Sequence, residues 1–241
     1  MNPNPSYFFE SILYHNSEFP FLALHFQRIS ELGNHLNLKI DFDIDSLRSR
    51  LETALYQKEE EQKLRLQFAI RESTLSIDII ETKATRPFHF NNYPPIALVI
   101  YPDYTKPINK LGQWKQYNKS LYEDSINFAL QSSASQSIIL NKHGEVVETS
   151  FSNFFYIING KVYTPPLSSG AVNGVFRRFL TQNMAIEEKS LYLNELNQVE
   201  SCFISSAIRG IVPVYSIDGR RYSIEKIEQI RTQTNKALSH T

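Results

Sequence analysis

Three features between Trp114 and Arg177 could do chemistry together. The first is an amine, Lys115, in Trp114-Lys-Gln-Tyr-Asn118. The second is a carboxylate, Glu148, at the end of the apolar pair Val146-Val147. It is followed by the polar residues Thr149, Ser150, Ser152 and Asn153, set among Phe151, Phe154 and Phe155. The third is a Gly-bearing turn, Leu167-Ser-Ser-Gly-Ala-Val-Asn-Gly-Val-Phe-Arg177, which leads into a helical pattern. An aldehyde cofactor with a ring nitrogen and a phosphate needs these three things. The amine forms the Schiff base, the acid faces the ring nitrogen, and backbone N–H groups at a helix start take the phosphate. Pyridoxal phosphate is such a cofactor. Each feature also has an ordinary reading on its own. A lysine beside a tryptophan fits a snorkelling surface residue. The Glu148 segment fits a strand-ending turn, and Gly170 to Gly174 fits an unremarkable start to a helix.

Positioning these groups falls to a chain that mixes strands and helices. Tyr7 to Tyr14 is apolar enough for a buried strand. Phe19 to Phe26 leads into a helix that continues to Leu36. Asp45 to Tyr56 puts Leu47, Leu51, Ala54 and Leu55 on one helical face, with Asp43 or Asp45 as cap. The charge run Gln57 to Lys63 is expected to be a solvated helix end or loop. Lys63 to Ile70 and Ser73 to Glu81 read as strands around an Arg71-Glu72 turn. Residues 86–95 hold three prolines and two asparagines without periodicity and read as a linker. It divides a small N-terminal domain, 1–91, from a larger cofactor-binding domain, 92–241.

In the second domain Ile96 to Tyr101 and Ser201 to Ser205 read as strands, and Ser120 to Ala134, Val172 to Ala185 and Ser223 to Ala237 as helices. Asn141-Lys-His-Gly144, Asn159-Gly160 and Asp218-Gly219 are turn signals, each joining a hairpin. The fold class is α+β, with barrel-like hairpins in the second domain.

The totals exclude several kinds of function. Net charge is zero, so nothing in the balance points to a nucleic-acid or acidic-lipid partner. The six histidines form no pair at metal-ligand spacing, which argues against a metal site. The single cysteine, Cys202, sits in an apolar run and reads as core filler. No Gly-x-Ser-x-Gly elbow, Walker loop or dinucleotide fingerprint is present. No apolar stretch reaches the ~18–20 residues that span a bilayer. Met1 to Pro5 lacks the marks of a secretory signal, so the expected compartment is the cytoplasm.

The order Lys115-x-x-Asn118, Glu148-Thr-Ser-Phe-Ser-Asn-Phe-Phe155, Gly170-Ala-Val-Asn-Gly-Val-Phe-Arg177 resembles the class IV, or fold type IV, pyridoxal-phosphate enzymes. That family includes branched-chain and D-amino acid aminotransferases and aminodeoxychorismate lyase. The resemblance extends upstream to Phe9-Glu-Ser-Ile12 and His25-Phe-Gln-Arg28, and downstream to Ser205-Ser-Ala-Ile-Arg-Gly-Ile-Val-Pro-Val214. It therefore covers nearly the whole chain, and it implies a two-domain fold type IV architecture with pyridoxal 5'-phosphate as cofactor.

By position, the resemblance makes Lys115 the Schiff-base lysine and proton-shuttling base, and Glu148 the partner of the pyridine nitrogen. Arg28 becomes the phosphate-binding arginine. Backbone N–H groups of Val175 and Phe176, with Ser206 and Ala207, complete the phosphate cup. The family likeness also implies a homodimer and a small amino substrate. Two departures stand out. Members carry a hairpin before the Phe-Glu strand, for which Met1 to Ser6 is too short, and Phe176 stands where aminotransferases place a threonine before the arginine.

The segments around Asn173 and Arg209 look closer to aminodeoxychorismate lyases. The expectation is thus a lyase forming 4-aminobenzoate and pyruvate for folate synthesis. Arg209 is then a contact for a substrate carboxylate, although a surface arginine after a loop reads the same way. The alternatives are a class IV aminotransferase acting on branched-chain or D-amino acids, and a catalytically degenerate binding protein of the same fold.

Overall fold

The computed structural model describes residues 7–55, 61–84 and 89–238. They form two compact units. One holds the described residues up to Phe90 together with Trp114–Tyr117. The other holds Asn91–Gln113 and the described residues from Asn118 onward.

The first unit runs β1 (Phe8–His15), α1 (Leu22–His35), β2 (Lys39–Ile40), α2 (Ile44–Ala54), β3 (Glu61–Arg71) and β4 (Thr74–Ala84). Its sheet has the order β1-β3-β4-β2. Leu64, Leu66 and Phe68 of β3 are buried and alternate with half-exposed Lys63, Arg65 and Gln67, as a strand with one covered face requires. The helices lie against this sheet, α1 at β1 and α2 at β4, and bury Ile29, Leu32, Leu47 and Leu51. Asp43 starts α2 by accepting the Ser46 N–H at 2.8 Å. Glu61 to Lys63, expected in a solvated loop, are strand residues of β3, with Gln62 buried against the pairing from Tyr14. The rest of that charge run, 57–60, lies outside the described residues, as do 85–88 of the expected linker.

Trp114–Tyr117 returns to this unit as an added edge on β1. Phe9 N–H donates to Lys115 O at 3.0 Å and Tyr117 N–H to Tyr7 O at 2.8 Å. The Trp114 indole N–H donates to Arg28 O at 3.1 Å, and the ring stacks on His35 with centroids 4.9 Å apart. Lys115 is thus carried by the first unit, not by the larger one where the linker reading put it.

The second unit contains β5 (Ile96–Lys106), α3 (Ser125–Gln131), β6 (Gln136–Asn141), β7 (Val146–Thr149), β8 (Asn153–Ile158), β9 (Lys161–Thr164) and α4 (Val175–Asn183). It continues with β10 (Ile186–Glu188), β11 (Ser201–Ser206), β12 (Gly210–Ile217), β13 (Arg220–Arg221) and α5 (Glu225–Leu238). The strand order β8-β11-β12-β5-β6-β7 closes on itself through a β7–β8 pairing, which makes a six-stranded barrel. Leu98, Ile138, Val146, Phe154, Cys202, Ile204, Val212 and Val214 form one buried cluster with contributions from all six strands, so this face is the inside. Cys202 is a free thiol in that core, and burial pushes its pKa up.

Two elements differ from expectation. β5 continues past Tyr101 to Lys106 although Pro102-Asp103 reads as a strand end. It does so by an irregularity: Ile100 pairs with Ile138 and Thr105 with Leu140, so Tyr101 to Tyr104 stand opposite Ile139 alone. Helix α4 begins at Val175 rather than Val172, because Val172 to Gly174 are used as a loop.

Asn91, inside the expected linker, is a fixed joint of the second unit. It is buried, its N–H donates to Arg209 O at 3.1 Å, and its Oδ1 accepts Ile211 N–H at 2.7 Å. Gly210 has φ +66, and a Cβ there would lie 2.7 Å from Asn91 Cα. The left-handed backbone alone costs a non-glycine residue roughly 1–2 kcal/mol. Gly210→Ala is therefore expected to lower stability by about 2 kcal/mol or more, read as a reduced urea midpoint at unchanged slope.

Candidate active site

Glu148 sits at the seam of the barrel. Leu140 pairs with Val146, but Ile139 pairs with Glu148, so β7 carries one extra residue, Val147, at a bulge. In regular pairing continued from Leu140–Val146, Val147 would stand opposite Ile139 and Glu148 opposite Ile138, pointing into the apolar inside; a one-residue slip reverses every side chain. With the bulge, Glu148 faces outward with Ile139. The registers continue the row: Glu148 pairs with Asn153, Asn153 with Ser205, and Ser205 with Ile211. A carboxylate, an amide and a hydroxyl thus lie side by side across β7, β8 and β11, on the face turned away from the core.

The loop before α4 is laid on this row. Val172 N–H donates to Glu148 Oε2 at 2.9 Å, and Asn153 Nδ2 donates to Val172 O at 2.8 Å. Gly174 passes so close that a Cβ would stand 2.0 Å from Asn153 Oδ1. Glycine is needed there for space, not for an unusual φ. Gly174 is also the N-cap of α4 and has no side chain to cap it. The first-turn N–H groups of α4, those of Val175 and Phe176 among them, have no acceptor within the helix. Ser205 Oγ is buried on this same face and has no hydrogen-bond partner among the described residues.

The rest of the polar cluster after Glu148 is accounted for by hydrogen bonds, as buried polar groups must be. Thr149 N–H donates to Ser152 O at 2.8 Å, and Phe151 N–H to Gln136 Oε1 at 3.1 Å. Ser125 Oγ donates to Ser150 Oγ at 2.9 Å. The second oxygen of Glu148, Oε1, accepts from the ammonium of Lys106, and both side chains are buried. Tyr104 is also close: burial raises its phenol pKa, and the charge of Glu148 raises it further. Sequence reading missed Lys106 and Ser205. The signal for Lys106 was hidden by the apparent strand end at Pro102, and that for Ser205 lies only in strand pairing.

In the first unit, Arg28 and Glu10 are buried together with His25. Arg28 Nε donates to Glu10 Oε1 at 2.8 Å, and Arg28 Nη2 donates to Glu10 Oε2. Burial pushes the Glu10 carboxyl up, but the Arg28 charge and the His25 hydrogen bond outweigh it and hold it down at about 2. Burial lowers the His25 pKa, against the hydrogen bond and charge of Glu10 and together with the charges of Arg28 and Lys115. The neutral ring donates Nδ1–H to Glu10 Oε2 at 2.8 Å. Its buried Nε2 has no hydrogen-bond partner among the described residues. Lys115 is half-buried, with Nζ 5.5 Å from the Phe9 ring centroid.

Ser206 and Ala207 open the β11–β12 turn, where Ser206 Oγ accepts Arg209 N–H at 3.2 Å. The Arg209 guanidinium stacks on Tyr93 at 5.5 Å. Among the described residues no cluster of three or more His, Cys, Asp or Glu is placed to hold a metal ion, and no helix is long and apolar enough to cross a membrane.

The Glu10 charge predicts an acid response. Because its folded pKa is depressed from 4.5 to about 2, its contribution is complete above 4.5 and is lost as pH falls toward about 2. Glu10→Gln leaves a buried guanidinium without its counter-charge. It should cost about 3 kcal/mol at neutral pH and flatten the acid limb of stability, as measured by urea unfolding across that pH range.

The sequence family described as amino-transferase class IV matches residues 7–217. A Thermotoga maritima protein named a probable branched-chain-amino-acid aminotransferase is 31% identical over 94 residues, 37% of this chain and 34% of that protein. An aminodeoxychorismate lyase of Vibrio harveyi is 28% identical over 94 residues, 37% of this chain and 35% of that protein. The chain thus spans only about a third of the length of these curated relatives. The solved structure of a proposed 4-amino-4-deoxychorismate lyase from Legionella pneumophila matches with a TM-score of 0.80 at 22% identity, over 95% of this chain and 90% of that one. That match shows the fold. The family match covers the Glu10–His25–Arg28 cluster, Lys115 and the whole row from Ile139 to Ile211, and on it the chain belongs to the class IV aminotransferase family.

Proposed function

We propose that this chain is a pyridoxal-phosphate enzyme acting on a small amino substrate, and that its reaction is that of a 4-amino-4-deoxychorismate lyase. Fold type IV enzymes use this cofactor. The observation that carries the cofactor reading is the Glu148 row. A buried carboxylate is held by a backbone N–H and a cation, beside the start of a helix whose N-cap, Gly174, has no side chain, and a buried hydroxyl without a hydrogen-bond partner among the described residues. These groups suit a molecule with a basic ring nitrogen at one end and a phosphate at the other.

In this reading Glu148 faces the ring nitrogen and keeps a proton on it. The first-turn N–H groups of α4 at Val175 and Phe176, with Ser206 and Ala207, hold the phosphate, and Ser205 Oγ gains a partner there. Arg28 contributes its forked donors to the same phosphate, with Glu10 fixing its orientation. Lys115 would hold the cofactor through its amine and would serve as the base that takes the proton from the amine-bearing carbon of the substrate. Bound, the cofactor supplies the electron sink that makes this proton removable. In the lyase reaction the enolpyruvyl ether on the neighbouring carbon then leaves and the ring becomes aromatic, giving 4-aminobenzoate and pyruvate. The segments around Asn173 and Arg209 support this choice. Matches to relatives named as aminotransferases support the second reading, in which a keto acid is released and another is consumed. The family likeness supports a homodimer.

Borohydride reduction of the cofactor-loaded protein, followed by peptide mass mapping, should leave a pyridoxyl group on Lys115; a label on Lys106 instead would move the assignment. Lys115→Ala should abolish turnover with the fold intact, and Glu148→Gln should bind cofactor yet lose about 3 kcal/mol of transition-state stabilisation in kcat. For the reaction itself, aminodeoxychorismate supplied without any keto acid should yield pyruvate. No pyruvate, with glutamate formed from 2-oxoglutarate and a branched-chain or D-amino acid, would replace the lyase by the aminotransferase.

A further inference from the structure

Lys106 belongs to none of the sequence blocks that mark the family, yet it is buried and its Nζ pairs with Oε1 of Glu148. Lysines are almost never fully buried unless paired. A buried ion pair stabilises a fold little compared with apolar side chains of similar volume, because both charges are stripped of water. Stability is therefore a poor reason for this lysine.

The backbone is also shaped to deliver it. β5 leaves its register with β6 at Tyr101 and recovers it with Thr105 opposite Leu140 and Lys106 opposite Asn141. Such irregularities re-aim side chains beside functional sites. Gly170, at φ +104, lies so close to Pro107, the residue after Lys106, that a Cβ on Gly170 would stand 2.8 Å from the Pro107 carbonyl oxygen. The end of β5 and the loop that carries Val172 are thereby fitted together around Glu148. The groups facing Glu148 are Lys106 and Tyr104 from β5 and the Val172 N–H from the loop, while its strand neighbours Ile139 and Asn153 are uncharged.

We propose that Lys106 is the positioning residue of Glu148: it anchors Oε1 and presents the cofactor's ring nitrogen with a carboxylate already shared with a fixed cation. This rests on the pyridoxal-phosphate reading of Glu148. A cation behind the carboxylate opposes a second positive charge in front of it. Lys106 therefore limits how tightly the site holds the proton on the ring nitrogen, and so tunes the electron sink without touching the substrate.

The test follows the ring nitrogen by NMR of isotopically labelled cofactor in the loaded protein as pH is raised. The wild type and Lys106→Arg should lose the ring proton at the same pH. Lys106→Met should hold it to a pH about one unit or more higher. Lys106→Gln keeps a hydrogen-bond donor without the charge and should move with the Met variant; it also serves if the Met variant does not fold. Coincident titrations in the wild type and the uncharged variants would overturn the proposal. In parallel, urea unfolding of the cofactor-free wild type, Lys106→Met, Glu148→Gln and the double variant forms a double-mutant cycle. Coupling of about five-fold or more in the unfolding constant is expected, and additive effects would overturn the pairing itself. A wild type that takes up no pyridoxal phosphate while the cycle shows coupling would instead overturn the functional reading, and with it the ring-nitrogen role.

Discussion

The second unit depends on the pairing of Glu148 with Asn153. That pair joins β7 to β8 and closes six strands into a barrel. Closure gives β7 a partner on the side that would be an exposed edge in an open sheet. It also places a charged residue, Glu148, in the seam, next to an apolar core. The extra residue at Val147 resolves the conflict by turning Glu148 to the other face. There its two oxygens are met by Lys106 and the Val172 N–H. The barrel seam and the proposed chemical centre are thus one feature. The short β7–β8 loop is polar because its backbone must be hydrogen-bonded in a buried place, which Thr149, Ser150 and Gln136 achieve.

The first unit solves a parallel problem with different residues. Arg28 is buried at the middle of α1, where a lone guanidinium would be very costly. Glu10 on β1 meets it through both carboxylate oxygens, and His25, one helical turn before Arg28, meets the same carboxylate. Burial and the two partners act in opposite directions on Glu10, and the partners win. Pairs of this kind add little net stability, but losing one member is expensive because the other is left unpaired. They hold a charge rigidly in one orientation. That is what an anion-binding arginine needs, because donors fixed beforehand lose no freedom on binding.

The two candidate reactions share their first step, so they share the residues that perform it. In the proposed reading Lys115, Glu148 and the start of α4 would serve either one. What separates them is whether a leaving group lies beside the carbon that loses its proton, which is a property of the substrate and of the side chains around it. Membership in the class IV aminotransferase family is compatible with both, and relatives bearing both names match this chain. Phe176, where the sequence departs from the aminotransferase pattern, and the segment around Arg209 are where a difference in chemistry would be written.

The sequence by itself determined the α+β class, most strands and helices, and the order of the chemical blocks. Hairpins at Asn159-Gly160 and Asp218-Gly219 are local, since Asn159, Gly160, Asp218 and Gly219 all adopt the positive φ such turns require. Helix α2 could be read from Asp43 and the spacing of Leu47 and Leu51 for the same reason. Tertiary structure decided what depends on pairing between distant strands. The bulge that turns Glu148 outward, the row that brings Ser205 beside Asn153, and the resumption of β5 that sets Lys106 against Glu148 are register effects. Register is fixed by which faces become buried across the whole sheet, and no window of a few residues carries that information. The return of Trp114–Tyr117 to the first unit is of the same kind. Its cause is the Trp114 indole bond to Arg28 and the open edge of β1, groups nearly ninety and more than a hundred residues away along the chain.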